Sequence, residues 1–212
     1  MTNHRTVRTT AAGLTAAALA AVALAAPAPA QAQAAARHTS LAQVLAVDGH
    51  HFDKKWGDFD ILDAAVMAVL DAKPHSAVGV LAKPNVKLTA FLPTDRAFRK
   101  LATALTGSRP KTERATFTRL ARAAGIDTIE TVLLYHVVPG KTLGAKKVVA
   151  ADGDKLTTAQ GGTVKVRVNG GAVRLADKDP DVANPRVTAT NINKGNPQIA
   201  HAINGVLLPA DL

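Results

Sequence analysis

The chain has 212 residues, with 26 lysines and arginines against 16 acids, and it has no cysteine. A formal charge of +10 favours anionic partners, and the missing thiols exclude disulfides, a cysteine nucleophile, iron–sulfur clusters and cysteine-bound zinc. Only 3% of residues are aromatic, so a core must be built from valine, leucine, isoleucine and alanine.

Residues 1–30 read as a secretory signal. Arg5 and Arg8 give a positive start, Ala11 to Ala26 is apolar, and Ala28, Ala30 and Ala32 offer small residues for cleavage. The stretch is too short, and wrongly flanked, for a membrane span. Arg5 and Arg8 are not adjacent, which argues against twin-arginine export, and no cysteine follows for a lipid anchor. No second hydrophobic stretch predicts an integral span or a sorting tail. The expected location is extracellular, either released or held non-covalently at a cell surface. Without Arg5 and Arg8 the formal charge falls to +8. Residues 31–39 are expected to be a flexible lead, and residues 40–212 a single domain long enough for its own core.

Thr39 or Ser40 is placed to cap a short helix through Leu41, Val44 and Leu45. Gly49 to Asp58 is polar and loop-like. His50 and His51 within it are adjacent and point in different directions, which makes a poor metal pair. Asp58 or Asp60 starts a helix with an apolar face of Ile61, Leu62, Ala65, Val66, Val69 and Leu70, and Pro74 ends it. After a turn at Leu81 to Asn85, Leu88 to Leu92 reads as a short buried strand ended by Pro93. Thr94 is placed to cap the next helix with its hydroxyl, and Asp95 to meet the positive end of that helix. Ala97, Phe98, Leu101 and Leu105 follow at helical spacing, and Gly107 closes the helix.

Thr112 to Ala124 predicts a helix with Ala115, Phe117, Leu120 and Ala121 inward and Lys111, Arg114, Arg119 and Arg122 on a solvated face. Gly125 stops it, and Asp127 or Thr128 begins another through Ile129, Val132, Leu133 and Leu134. Tyr135-His136 marks the change to a strand, and Pro139-Gly140 turns the chain. From Lys141 the period is two. Leu156, Val164, Val166, Val168, Val173 and Leu175 alternate with Lys165, Arg167 and Arg174, and Asn169-Gly170 is a hairpin signal. Lys165, Arg167 and Arg174 are expected on one outward face as a basic patch. Further strands are expected at Arg186 to Ile192 and Ile199 to Leu208. Helices early and strands late imply an α+β fold. Asp177 to Asp181 alternates acids like a calcium loop. Val182 and Thr188 stand where that loop needs glycine and glutamate, so a solvated hairpin loop is the reading.

Three stretches together resemble the fasciclin-type domain. Its first signature is matched by Thr89, Phe91, Pro93, Thr94, Asp95, Ala97 and Phe98, its middle Tyr-His pair by Tyr135 and His136, and its last by His201, Ile203, Val206, Leu207, Leu208 and Pro209. Order and spacing agree, from about Ser40 to the end of the chain. The family's Asn-Gly falls on Pro197-Gln198, unless one residue is inserted after Asn196; its isoleucine falls on Ala200 and its aspartate on Asn204, which removes a fixed negative charge near His201. The resemblance implies a wedge with a β-sandwich-like core of about seven strands flanked by helices. It also implies a non-catalytic role in cell adhesion or matrix and cell-wall binding, with Tyr135 and His136 inheriting a contact role.

From the residues themselves, Tyr135, His136 and His201 permit acid–base chemistry. No Gly-x-Ser-x-Gly elbow, phosphate loop or His-Glu-x-x-His helix accompanies them, so packing is the expected role. No catalytic residue, cofactor or metal site is assigned. The leading expectation is a secreted binding module for an extracellular protein or an anionic wall or matrix polymer. Two alternatives stay open: a carrier of a small apolar ligand such as a lipid, and a hydrolase or metalloprotein centred on His136 and His201. Nucleic acid is not an expected partner, because a stacking platform of aromatics is missing.

Overall fold

The structure, a computed structural model, describes residues 39–180 and 182–210. The expected signal and nearly all of the lead that follows it lie outside the described residues. In chain order the elements are α1 (Leu41–Leu45), α2 (Asp60–Ala72), β1 (Leu88–Pro93), α3 (Asp95–Thr106), α4 (Glu113–Tyr135), β2 (Val137–Pro139) and α5 (Ala145–Ala150), and then β3 (Lys155–Thr157), β4 (Thr163–Asn169), β5 (Ala172–Ala176), β6 (Val187–Ile192) and β7 (Gln198–Ile203). Short 3₁₀ turns cover Ala46–Asp48 and Ala77–Ala82. The fold is α+β, with seven strands in two sheets among the described residues.

The larger sheet has the order β2-β1-β7-β6, and the smaller is the antiparallel meander β3-β4-β5. A bridge between Arg174 and Arg186 links the two. At the centre of the larger sheet, β1 and β7 run parallel, with Leu88 opposite Gln198 and Pro93 opposite Ile203. Both strands are buried along their whole length, as expected where a parallel pair is covered on both faces.

The two faces serve two cores. Leu88, Ala90 and Leu92 alternate toward the helices, where they join Leu41, Ile61, Val66, Val69, Leu101 and Leu208. Phe91 and Ile203 point the other way, into an inter-sheet core with Tyr135, Leu156, Val164, Val166, Leu175 and Leu207. Burial of aliphatic side chains at roughly 1.5–3 kcal/mol each lets the domain stand without disulfides.

Several local expectations change. Thr94 is the N-cap of α3, yet its hydroxyl makes no capping bond. Asp95 turns instead to the neighbouring helix and accepts the Asp60 and Ile61 amides at 3.2 and 2.8 Å, so it caps α2. Gly125 breaks the helical geometry at φ 71° and ψ 167°, but the two helical pieces run on as the kinked α4. Ala115, expected inward, is exposed. Helix α5 and the Ala77–Ala82 turn went unpredicted, because six residues are too few to display a helical period. The last strand ends at Ile203, not Leu208. Asn204 there exchanges bonds with Arg186, through its amide (3.1 Å) and its side-chain oxygen (2.8 Å), and Val206, Leu207 and Leu208 then turn into the cores.

Candidate functional site

Tyr135 and His136 stand where α4 gives way to β2, and both are buried, at 0% and 4% exposure. The Tyr135 hydroxyl donates to the Thr163 carbonyl at 2.7 Å, which ties α4 to the small sheet. Burial pushes that phenol up to about 12. His136 donates from Nδ1 to the Val132 carbonyl (2.7 Å) and accepts the Leu207 amide at Nε2 (2.9 Å). These partners fix a neutral imidazole, and burial holds its pKa down to about 4. The contact role that the resemblance implies for these two side chains is therefore corrected: both are buried and brace the backbone, in the packing role expected from the residues themselves.

His201 is likewise buried against Phe91. Its Nε2 donates to the Leu143 carbonyl at 2.8 Å, and its Nδ1 has no partner among the described residues. Burial lowers its pKa. A catalytic or metal centre joining His136 and His201 is corrected on the same ground. Both nitrogens of His136 are spent on backbone groups, and no hydrogen bond joins the two rings.

The small sheet turns Val164, Val166, Val173 and Leu175 inward, which leaves the alternate residues facing out. Arg167 is directly opposite Arg174, and Arg174 is bridged to Arg186 just before β6, so three arginines form one row across β4, β5 and that bridge. Lys165 lies two residues along β4 and faces Lys155 on β3. The three arginines and Lys155 are exposed and Lys165 is half-buried. None of the five has an ion-pair partner among the described residues. Like charges directly opposite cost stability.

On the other side of the molecule a cavity of about 380 Å³ opens between α2, α3 and α4. Ile61, Phe98, Leu101, Phe117, Leu120 and Ile129 are among its lining residues, so it is almost wholly apolar. Phe117, Leu120, Ile129 and Val132, which line it, remain only half-buried.

The family model for the fasciclin domain matches residues 65–209. The chain belongs to the fasciclin family. Among solved structures it is similar to a fasciclin domain pair from the insect cell adhesion molecule fasciclin I, at 15% identity and a TM-score of 0.48. That similarity covers 70% of this chain and 47% of the other, so the chain spans about half the length of that relative. A search of curated proteins finds no match. No catalytic family matches the chain.

The signatures of this fasciclin domain are its internal fastenings. The Thr89 hydroxyl donates to the Lys141 carbonyl (2.6 Å) and accepts the Leu143 amide (2.8 Å), pinning the loop after β2. Phe91, Ala97 and Phe98 fill the cores, and Pro93 ends β1 at the cavity wall. His201, Ile203, Val206, Leu207 and Leu208 are buried, and Pro209 is half-buried. Sequence reasoning missed Gln198, which is fully buried. Its Oε1 accepts the Leu41 amide, and its Nε2 donates to the Val80 and Lys83 carbonyls. A glutamine at the start of a strand carries no local signal for such partners. Arg186, the third member of the basic row, was legible only as a strand residue.

Proposed function

We propose that this fasciclin domain is an exported, non-catalytic adhesion module that holds anionic extracellular polymer on the outer face of its small sheet. The observation that carries this reading is the row of Arg167, Arg174 and Arg186, backed by Lys165 and Lys155. Strands repeat at roughly 4.8 Å, so the row offers guanidinium groups at intervals that a chain of sulfates, phosphates or carboxylates can follow. Contacts of this kind are exposed and weaken with salt. The fasciclin family membership supports adhesion, and the resemblance of residues 1–30 to a secretory signal supports export. Among the described residues no helix is long and apolar enough to cross a membrane.

The test is co-sedimentation of the purified protein with isolated cell walls or an immobilised polyanion over a salt series. Retention lost with rising salt, and lost at low salt in the triple variant Lys165→Glu, Arg167→Glu, Arg174→Glu, is the expected result. Retention indifferent to both refutes the basic face. N-terminal sequencing of protein recovered from culture medium tests export, with a new terminus after Ala28, Ala30 or Ala32 expected.

The apolar cavity between α2, α3 and α4 favours a second reading, carriage of a small apolar molecule. Its volume, about 380 Å³, is within the range of small-ligand sites. Solvent extraction of the purified protein with mass spectrometry decides it. Ala121→Leu, which narrows the mouth, is expected to reduce any bound molecule, and extraction that recovers nothing refutes carriage.

A further inference from the structure

Three helices begin close together. Asp60 opens α2, Asp95 opens α3 and Glu113 opens α4. Carboxylates at such ends are ordinarily explained by the helix dipole and by capping. Asp95 fits that explanation, because it takes two amides of α2. Glu113 does not. It is fully buried, and both of its carboxylate oxygens lack a hydrogen-bond partner among the described residues. One carboxylate oxygen of Asp58 is buried in the same way. An unpartnered buried carboxylate is costly unless it binds a proton or a cation.

Glu113 is not alone in its pocket. Asp53, Asp58, Asp60 and Glu113 each bring a ligand oxygen to within 4.8 Å of the others. The Asp53 amide donates to Asp60 Oδ2 at 3.0 Å, which folds the loop over the start of α2. The nearby cations are otherwise engaged. Lys55 pairs with Asp53 Oδ2 at 2.7 Å and gives its amide to Asp53 Oδ1, Arg99 lies 3.6 Å over the Trp56 ring, and Arg114 lies 5.1 Å over Phe52, so none of these cations reaches Glu113 with a hydrogen bond.

We propose that Asp53, Asp58, Asp60 and Glu113 form a calcium-binding site that clamps the 49–58 loop and the start of α4 onto α2. The donor set is all oxygen and strongly anionic, which selects a hard cation. Calcium accepts a crowded set of carboxylates in flexible geometry, whereas magnesium keeps several of its waters and takes one or two carboxylates, so a pocket of four carboxylates suits calcium. The site is distinct from the Asp177–Asp181 loop. There Asp177 accepts the Leu208 amide at 2.9 Å and Asp179 accepts the Val182 amide at 3.0 Å. The carboxyls of Asp60 and Glu113 are raised, Glu113 to about 7, chiefly by burial and then by their acidic neighbours.

Trp56, the single tryptophan of the chain, lies between Asp53 and Asp58 in sequence and is a built-in donor for terbium luminescence. Full-length protein stripped with chelator is titrated with Tb³⁺ at pH 7.5 while Trp56 is excited, then with Ca²⁺ as competitor. Melting temperature is measured with and without Ca²⁺. The expected result is one sensitised ion per chain, displaced by Ca²⁺ at least tenfold more readily than by Mg²⁺, and a melting temperature raised by Ca²⁺. Glu113→Gln and Asp60→Asn lower the affinity at least tenfold, whereas Asp177→Asn leaves it unchanged. Glu113→Gln removes a buried charge at nearly constant shape, so it is a fair test even where Asp60→Asn fails to fold. No sensitised signal together with melting indifferent to Ca²⁺ overturns the proposal and assigns the cluster to protons alone. Equal displacement by Mg²⁺ overturns the choice of calcium.

Discussion

His136→Phe removes the bonds that join the end of α4 to the last signature while keeping a ring in place. The variant leaves the Leu207 amide and the Val132 carbonyl unpaired inside the core. Each orphaned buried group costs about 1–3 kcal/mol, so a loss of about 2–5 kcal/mol is expected at pH 7.5. The pH dependence supplies a second readout. In the unfolded chain an imidazole takes up a proton near 6.5, whereas burial holds His136 down to about 4 in the folded protein. Its stabilising contribution is thus complete above pH 6.5 and is lost as pH falls through 4. Between pH 7.5 and pH 5 that difference removes about 2 kcal/mol from the wild type. In His136→Phe this loss disappears, while a loss in the same direction from His201 remains. Urea denaturation of both proteins at the two pH values measures it. A cost below about 1 kcal/mol at pH 7.5, or an unchanged acid loss, refutes His136 as a neutral internal brace.

Gln198→Leu strands the Leu41 amide, while the Val80 and Lys83 carbonyls lose one donor but keep the Lys83 and Val86 amides; a cost of about 1–3 kcal/mol is expected, measured by the same denaturation. Gly125→Ala meets no steric neighbour, but it places a side chain at φ 71° and ψ 167°, a region reserved for glycine; a loss of about 1–3 kcal/mol in thermal unfolding is expected. Arg167→Glu turns a repelling cross-strand pair with Arg174 into an attracting one, so it raises stability by about 0.2–1 kcal/mol while weakening polyanion retention. Asp95 has a carboxyl pushed up to about 8 by burial and by Asp58, so its contribution is complete below pH 3.8 and is lost as pH rises through 8. Asp95→Asn keeps an acceptor for one of the two α2 amides and is expected to flatten that alkaline loss in melts between pH 6 and pH 9.

Local chemistry, read in order, was enough for the helices whose apolar residues recur over three turns, such as α2, and for the hairpin at Asn169-Gly170. The two-residue period of β4 and β5 also placed Arg167 and Arg174 on one face, because strand geometry alone fixes which side chains alternate. The family signatures were legible as residues, and Thr89, Phe91 and Ile203 do hold the centre of the molecule. What those polar residues fasten was not legible. Asp95 sits at the head of one helix in the chain and caps another in space. Tyr135 and His136 were read as packing residues with a contact role implied by the resemblance, and only the fold shows what they brace: the end of α4 is tied to Thr163 of the small sheet and to Leu207 of the last signature. The parallel pairing of β1 with β7 joins residues more than a hundred positions apart, and that distance is why it left no mark in the pattern. The cavity beside the kinked α4 and the four converging carboxylates likewise exist only through packing. Periodicity reports which face of an element is apolar; which element covers it, and which polar groups are then sealed in together, is decided by the tertiary fold.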